Sequence, residues 1–209
     1  MKGALVMFTQ SFGVSMPNII VFQYNPETIR HSWTQPQSAA TEAHPLAVKD
    51  LPGETFSLTL AMDVTDQIAE GNAVAQADAA LNGIYARIAA LEMVMFPVAP
   101  DPVPGKKAVP ASQVPAVLFV WGPGRVVPVR LTSLTITEKL FDELLNPTHA
   151  EAVIELKVLT PKELGAVAGP LKAVCQDAYD YTHVKRKLLA VLNLNNAADS
   201  FEMPPLPGL

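Results

Sequence analysis

Asp177, Asp180 and His183 stand at i, i+3 and i+6 in a segment of helical periodicity. Two carboxylates and an imidazole are the raw material of a metal site or of acid–base chemistry. The two aspartates can share a helix face, but His183 swings well round the axis, and no further ligand lies nearby in the chain. The group reads as a solvated face. His149 and Glu151 point to the same side of a strand and read as a surface pair, while His31 and His44 stand alone as loop or edge residues. Cys175 has no second cysteine and no base beside it, so a buried or interface thiol is expected rather than a nucleophile. Gly122-Pro123-Gly124 follows a strand as a phosphate loop would, but a strand follows it too, and no helix N-terminus is available to hold an anion. It reads as a tight turn. Lys185-Arg186-Lys187 fits the exposed side of a helix, near its C-terminal half, where positive charge complements the dipole. No serine stands in a nucleophile-elbow setting. The expectation is no catalytic residue, no cofactor-binding residue, no metal ligand, and no cofactor.

The elements that would position these residues are mostly strands. Phe56, Leu58, Leu60, Met62 and Val64 alternate with small and polar residues over 54–64. Ala152, Ile154, Leu156 and Val158 do the same over 151–159. Both show the period of a half-buried strand. Residues 116–121 are apolar on both faces and need cover on both. Over 126–138 the apolar phase switches near Thr132-Ser133, which predicts a β-bulge or a change of partner. Shorter strands are predicted at 2–8, 18–24 and 27–33. One helix is predicted over 78–95, weakened by Gly83, and a second over 170–192 with Leu171, Val174, Ala178, Tyr181, Val184, Leu188 and Leu192 on its apolar face. Six prolines between 97 and 115 mark residues 97–114 as an exposed loop, and a second proline cluster makes the C-terminus an extended tail.

The 209 residues carry a net charge of -5 and only 17% charged side chains, against 49% hydrophobic ones. The mild acidity argues against nucleic acid, which calls for a basic patch. No apolar run reaches the roughly 18 residues of a membrane span, and no secretory signal is read at the N-terminus. Such a surplus of apolar surface is most simply hidden in a homo-oligomer.

Two segments carry a further signal. Phe22-Gln23-Tyr24-Asn25-Pro26-Glu27-Thr28-Ile29 places a turn initiator between two strands. Residues 115–122, ending Phe119-Val120-Trp121-Gly122, lead on to the segment from Leu131 to Phe141, then Asn146-Pro147, then the strand from Ala150 to Thr160. This order over residues 2–160 resembles the tube-domain family of contractile, phage-tail-like injection systems. The ordered set carries the likeness rather than any one motif. The resemblance implies an α+β fold, mainly β: a tail-tube-like β-barrel or sandwich over residues 1–160 with one flanking helix, followed by a C-terminal helical extension and proline tail over 161–209. It implies a structural protein, not an enzyme. Members of this type form hexameric rings at the baseplate hub, join the spike to the inner tube and initiate tube assembly. The implied partners are further copies of the chain, the inner tube protein, and spike, hub and other baseplate proteins. The implied location is the cytoplasm at synthesis and then a phage-tail-like particle. The loop 97–114 and the helix 170–192 are the expected docking elements. Many members carry a LysM module after the tube domain; residues 161–209 hold no such pattern, so LysM-mediated docking is not expected. Asn146 stands where the family has a glycine, and asparagine tolerates left-handed geometry. An ordinary inner-tube subunit and a stand-alone β-barrel holding a small apolar ligand are the alternatives.

Overall fold

A computed structural model describes residues 1–11, 14–37, 44–97, 114–167 and 171–198. Among these residues seven strands form one antiparallel sheet: β1 (Ala4–Ser11), β2 (Val14–Val21), β3 (Ile29–Thr34), β4 (Gly53–Asp63), β5 (Val117–Val120), β6 (Val126–Phe141) and β7 (Pro147–Val158). Their spatial order is β2-β1-β5-β6-β7-β4-β3. Among the described residues five helices accompany them: α1 (Val64–Glu70), α2 (Ala73–Asn82), α3 (Tyr85–Met93), α4 (Pro161–Gly165) and α5 (Leu171–Ala198). The class is α+β, as expected. Among the described residues no helix is long and apolar enough to cross a membrane.

The alternating strands behave as their period dictates. Phe56, Leu58, Leu60 and Met62 of β4 and Ala152, Ile154, Leu156 and Val158 of β7 all enter one core. The sheet curls tightly around it. Three strand spacings separate β4 from β5, roughly 14 Å in a flat sheet, yet the Phe56 and Phe119 rings lie 5.3 Å apart. Phe119 also meets Phe22 and Trp121, at 6.5 and 6.2 Å. Cover on both sides of β5 is present too: Val117 and Phe119 face this core, while Leu118 packs with Leu164, Cys175 and Ala178 beneath α4 and α5. The phase switch in β6 is a register shift between Leu131 and Ser133, with the Thr132 hydroxyl donating to the Glu155 carbonyl at 3.1 Å.

The expected barrel closure does not occur: β2 and β3 end the sheet as separate edges. A side chain stands where a ladder would run. The Gln23 amide, just past β2, donates to the Asp63 carbonyl at 2.7 Å and accepts from the Asp63 amide at 3.0 Å. It satisfies the end of β4 as a neighbouring strand would, while α3 packs Ile88 and Leu91 into the core. The Asn25 carboxamide straps the N-terminus, accepting from the Gly3 amide at 2.8 Å and donating to the Met1 carbonyl at 3.1 Å. The turn residue singled out in the sequence thus fixes where β1 begins.

The single helix expected over 78–95 is two, broken at Gly83, whose φ is +59°. α1 begins directly at Val64, one residue after β4, with Asp63 Oδ1 accepting from the Thr65 amide at 2.7 Å. Its β-branched start continues the strand pattern, which hides the switch to helix. α4 opens on a capping box between Thr160 and Glu163. The left-handed residue of the β6–β7 connection is Leu145, at φ +65°, not Asn146. Asn146 instead donates from its side chain to the Leu81 carbonyl at 3.0 Å and to Asp142 Oδ2 at 2.9 Å, tying the hairpin to α2. The expected proline loop, Pro97 and Val114 apart, and the C-terminal proline tail lie outside the described residues.

Candidate assembly interface

The residues singled out for chemistry do not converge. Asp177, Asp180 and His183 are exposed on α5, with His183 stacked on Tyr179 at 6.1 Å. His149 meets Asp63 at 3.3 Å and Glu151 meets Lys139 at 2.7 Å, each pair part-exposed. His44 lies exposed in the connection before β4. Gly122-Pro123-Gly124 is the β5–β6 turn, closed by the Trp121 amide donating to the Arg125 carbonyl at 2.8 Å. Among the described residues no group of His, Cys, Asp and Glu could hold a metal ion.

One polar cluster does form, and the sequence reading missed it. Arg186 is not on the exposed side of its helix, as the basic run suggested. It turns inward and donates to both carboxylate oxygens of Glu54, at 2.9 Å to Oε2 and in a second, shorter bond to Oε1. Glu54 is 4% exposed. His31 Nε2 donates to Glu54 Oε1 at 2.9 Å, its ring stacked on Phe56 at 4.3 Å. The Arg186 guanidinium lies 5.0 Å over Trp33, and that of Arg125 lies 5.2 Å over Phe56. Burial, and then the neighbouring charge of Arg186, hold the Arg125 guanidinium below its usual pKa, opposed by Glu54. Further along α5, the Thr182 hydroxyl donates to the Val126 carbonyl at 2.6 Å and accepts from the Val126 amide at 3.1 Å. The helix therefore ties the β5–β6 side of the curled sheet to its β3–β4 side. A Glu one residue into a strand and an Arg far along the chain gave no local signal of this pairing.

The buried face of α5 is Cys175, Ala178 and Thr182. Of the apolar stripe read from the sequence, only Ala178 is buried among the described side chains; Val174, Tyr181, Val184, Leu188 and Leu192 are exposed. Burial raises the Cys175 thiol pKa. Alkylation of Cys175 in the native protein at pH 8 is expected to run at least roughly a hundredfold slower than in 8 M urea, followed by intact mass. Rapid native labelling would show that α5 is not docked.

Apolar surface concentrates at the periphery. The β6–β7 hairpin tip presents Leu144 and Leu145 at 74% and 79% exposure. The edges present Ile19 and Val21 on β2 and Trp33 on β3. A groove of about 330 Å³ runs between β2 and α3, floored by Leu60 and Met62. Unsatisfied strand edges and apolar tips, with the interior filled by side chains, define a sheet protein shaped to be built into an assembly. The family model for the contractile injection system tube protein matches residues 2–166, and the chain belongs to that family. This is a family of structural tube components, whose members assemble with other tube or injection-system proteins. No curated protein matches the chain. The matched span takes in the whole sheet and α4, and stops short of α5.

Proposed function

We propose that the chain forms a hexameric ring at the baseplate hub of a contractile injection system, joining the spike to the inner tube and initiating tube assembly. Residues 1–160 serve as the tube-like unit and 161–209 as the extension that distinguishes this ring from those of the shaft. One ring face matches the spike or hub, and the other presents a template for the first tube ring. Residues 97–114 and α5 are the docking elements. The subunit is made in the cytoplasm and carried into a phage-tail-like particle, and its role is structural rather than enzymatic.

The observation that supports this reading is α5. It is a 28-residue helix lying beyond the span shared with the tube family, and most of its apolar side chains face outward. A shaft subunit repeats the same contacts above and below and has no use for an added apolar face; a junction ring meets two different neighbours. The test is native mass together with negative-stain images of the purified full chain. Discrete rings built from six copies are expected. Long tubes growing from the chain alone would assign it to the shaft, and subunits that never form a ring would overturn the reading.

A further inference from the structure

The outward stripe of α5 has a regular spacing. Val174, Asp177, Tyr181, Val184, Leu188 and Val191 follow one another at alternating steps of three and four. That is the a/d seam of a two-stranded coiled coil. All five apolar members are exposed, Val184 at 64% and Leu188 at 58%; Tyr181 brings its ring, since its hydroxyl donates to the Pro123 carbonyl at 2.7 Å. Asp180 and Lys187, also exposed, flank the seam on one side at equivalent heptad positions. The face opposite to the docked one would otherwise carry polar residues.

We propose that this face of α5 pairs with the same face of a second copy of the chain, the two helices running antiparallel about a two-fold axis between Thr182 and His183.

Charge and register choose the occupant and its direction. In the antiparallel arrangement Val174 lies in one layer with Val191 of the second copy, and Tyr181 with Val184 of the second copy. Equivalent flanking positions then face each other, so Asp180 of each copy meets Lys187 of the other, and the two-fold axis supplies the pair twice. Asp177 falls opposite Leu188 of the second copy, with Lys187 adjacent. A parallel pair would set Asp177 against Asp177 of the second copy within the seam, where like charges repel.

A seam of 18 residues, roughly 27 Å long, is short for free peptides. Here each helix is already formed and fastened by Thr182 and Arg186, so little ordering remains to be done on association. A two-fold contact closes on itself and cannot propagate a polar stack. Copies joined through α5 therefore end growth on that face rather than extend it. The seam and its charges carry this inference; since one face cannot hold two occupants, the pair is a state of the chain before α5 docks in the particle, and a hub neighbour must displace it.

The test is sedimentation velocity of the full chain at about 50 μM, where the seam's closed contact should be populated, with three variants. Leu188→Asp is expected to halve the measured mass, whether the parent is two subunits or two rings. Circular dichroism and protection of Cys175 should stay as in the parent, since Leu188 touches no core. Asp180→Lys and Lys187→Asp are each expected to weaken association at least tenfold, and the two together to restore it. A mass left unchanged by Leu188→Asp would overturn the proposal. So would a double charge swap that fails to recover the mass, because only the antiparallel register pairs position 180 with 187. Images of six-membered rings test the hub reading separately, and their absence leaves this mass comparison intact.

Discussion

Arg186→Met is expected to cost about 3 kcal/mol of stability, measured by urea unfolding. Removing one partner of a buried ion pair leaves the other charge desolvated, at roughly 3–5 kcal/mol. Glu54 is 4% exposed, and with Arg186 gone it keeps the His31 contact and the more distant charge of Arg125. The reverse change is milder. After Glu54→Met, the Arg186 guanidinium, 31% exposed, can still reach water and keep its contact with Trp33, so a loss of about 2 kcal/mol is expected. The double variant should lose clearly less than the sum, with a coupling of about 1.5 kcal/mol or more, because neither charge is then stranded. Strictly additive losses would show that the two groups do not act as a pair. A second readout separates local from global effects. Arg186 is where α5 crosses to the β3–β4 side, so Arg186→Met should also speed alkylation of Cys175 under native conditions. A core substitution of equal cost would open the helix only through global unfolding.

The strands were legible in the sequence because each announces itself locally. Period-two alternation in β4 and β7 needs no knowledge of the partner strand, and even the bulge at Thr132 shows as a slip of phase within one segment. Sequence-distant relations were not legible. Whether β2 and β3 meet depends on how far the sheet curls, and Gln23 stands in for the closing ladder by a contact forty residues away. Which face of α5 meets the sheet was not legible for a related reason. Its leucines and valines form the greater apolar stripe, yet the sheet takes the face carrying Cys175, Ala178 and Thr182. Small side chains let the helix approach the β5–β6 strands closely enough for Thr182 to bond both the amide and the carbonyl of Val126. Arg186 continues that same face. Apolar bulk marks a surface that will be covered, but not by what. Of the candidate assembly surfaces, the terminal helix was expected from the sequence as a docking element, and the rest only as a surplus of apolar residues. Their places, the hairpin tip, the strand edges and the outer face of α5, follow from the fold.

Gly83→Ala is expected to destabilise the protein by about 3 kcal/mol or more, a cost out of proportion to a single methyl group. The residue forms the elbow between α2 and α3 at φ +59° and ψ −128°, a region that residues with a Cβ rarely adopt. A Cβ built there would lie 2.3 Å from the Pro147 carbonyl oxygen. That oxygen accepts from the Ile84 amide at 2.9 Å, the contact that fastens the elbow to the start of β7. The methyl group can be accommodated only by pushing β7 and the elbow apart. Doing so would break that hydrogen bond and draw fully buried Ile84 out of the core. Strain and overpacking each contribute roughly 1–3 kcal/mol. Asn146, one residue before Pro147, bonds Leu81 on the same elbow, so the β6–β7 hairpin should loosen with it. Proteolysis of the native variant is therefore expected to begin near residues 142–146. Gly165→Ala is the control: nothing lies within 4 Å of a Cβ there, and its unfolding midpoint should stay within experimental scatter of the parent or rise slightly. A Gly83→Ala variant as stable as this control would mean that α2 and α3 are not held to the hairpin through this elbow.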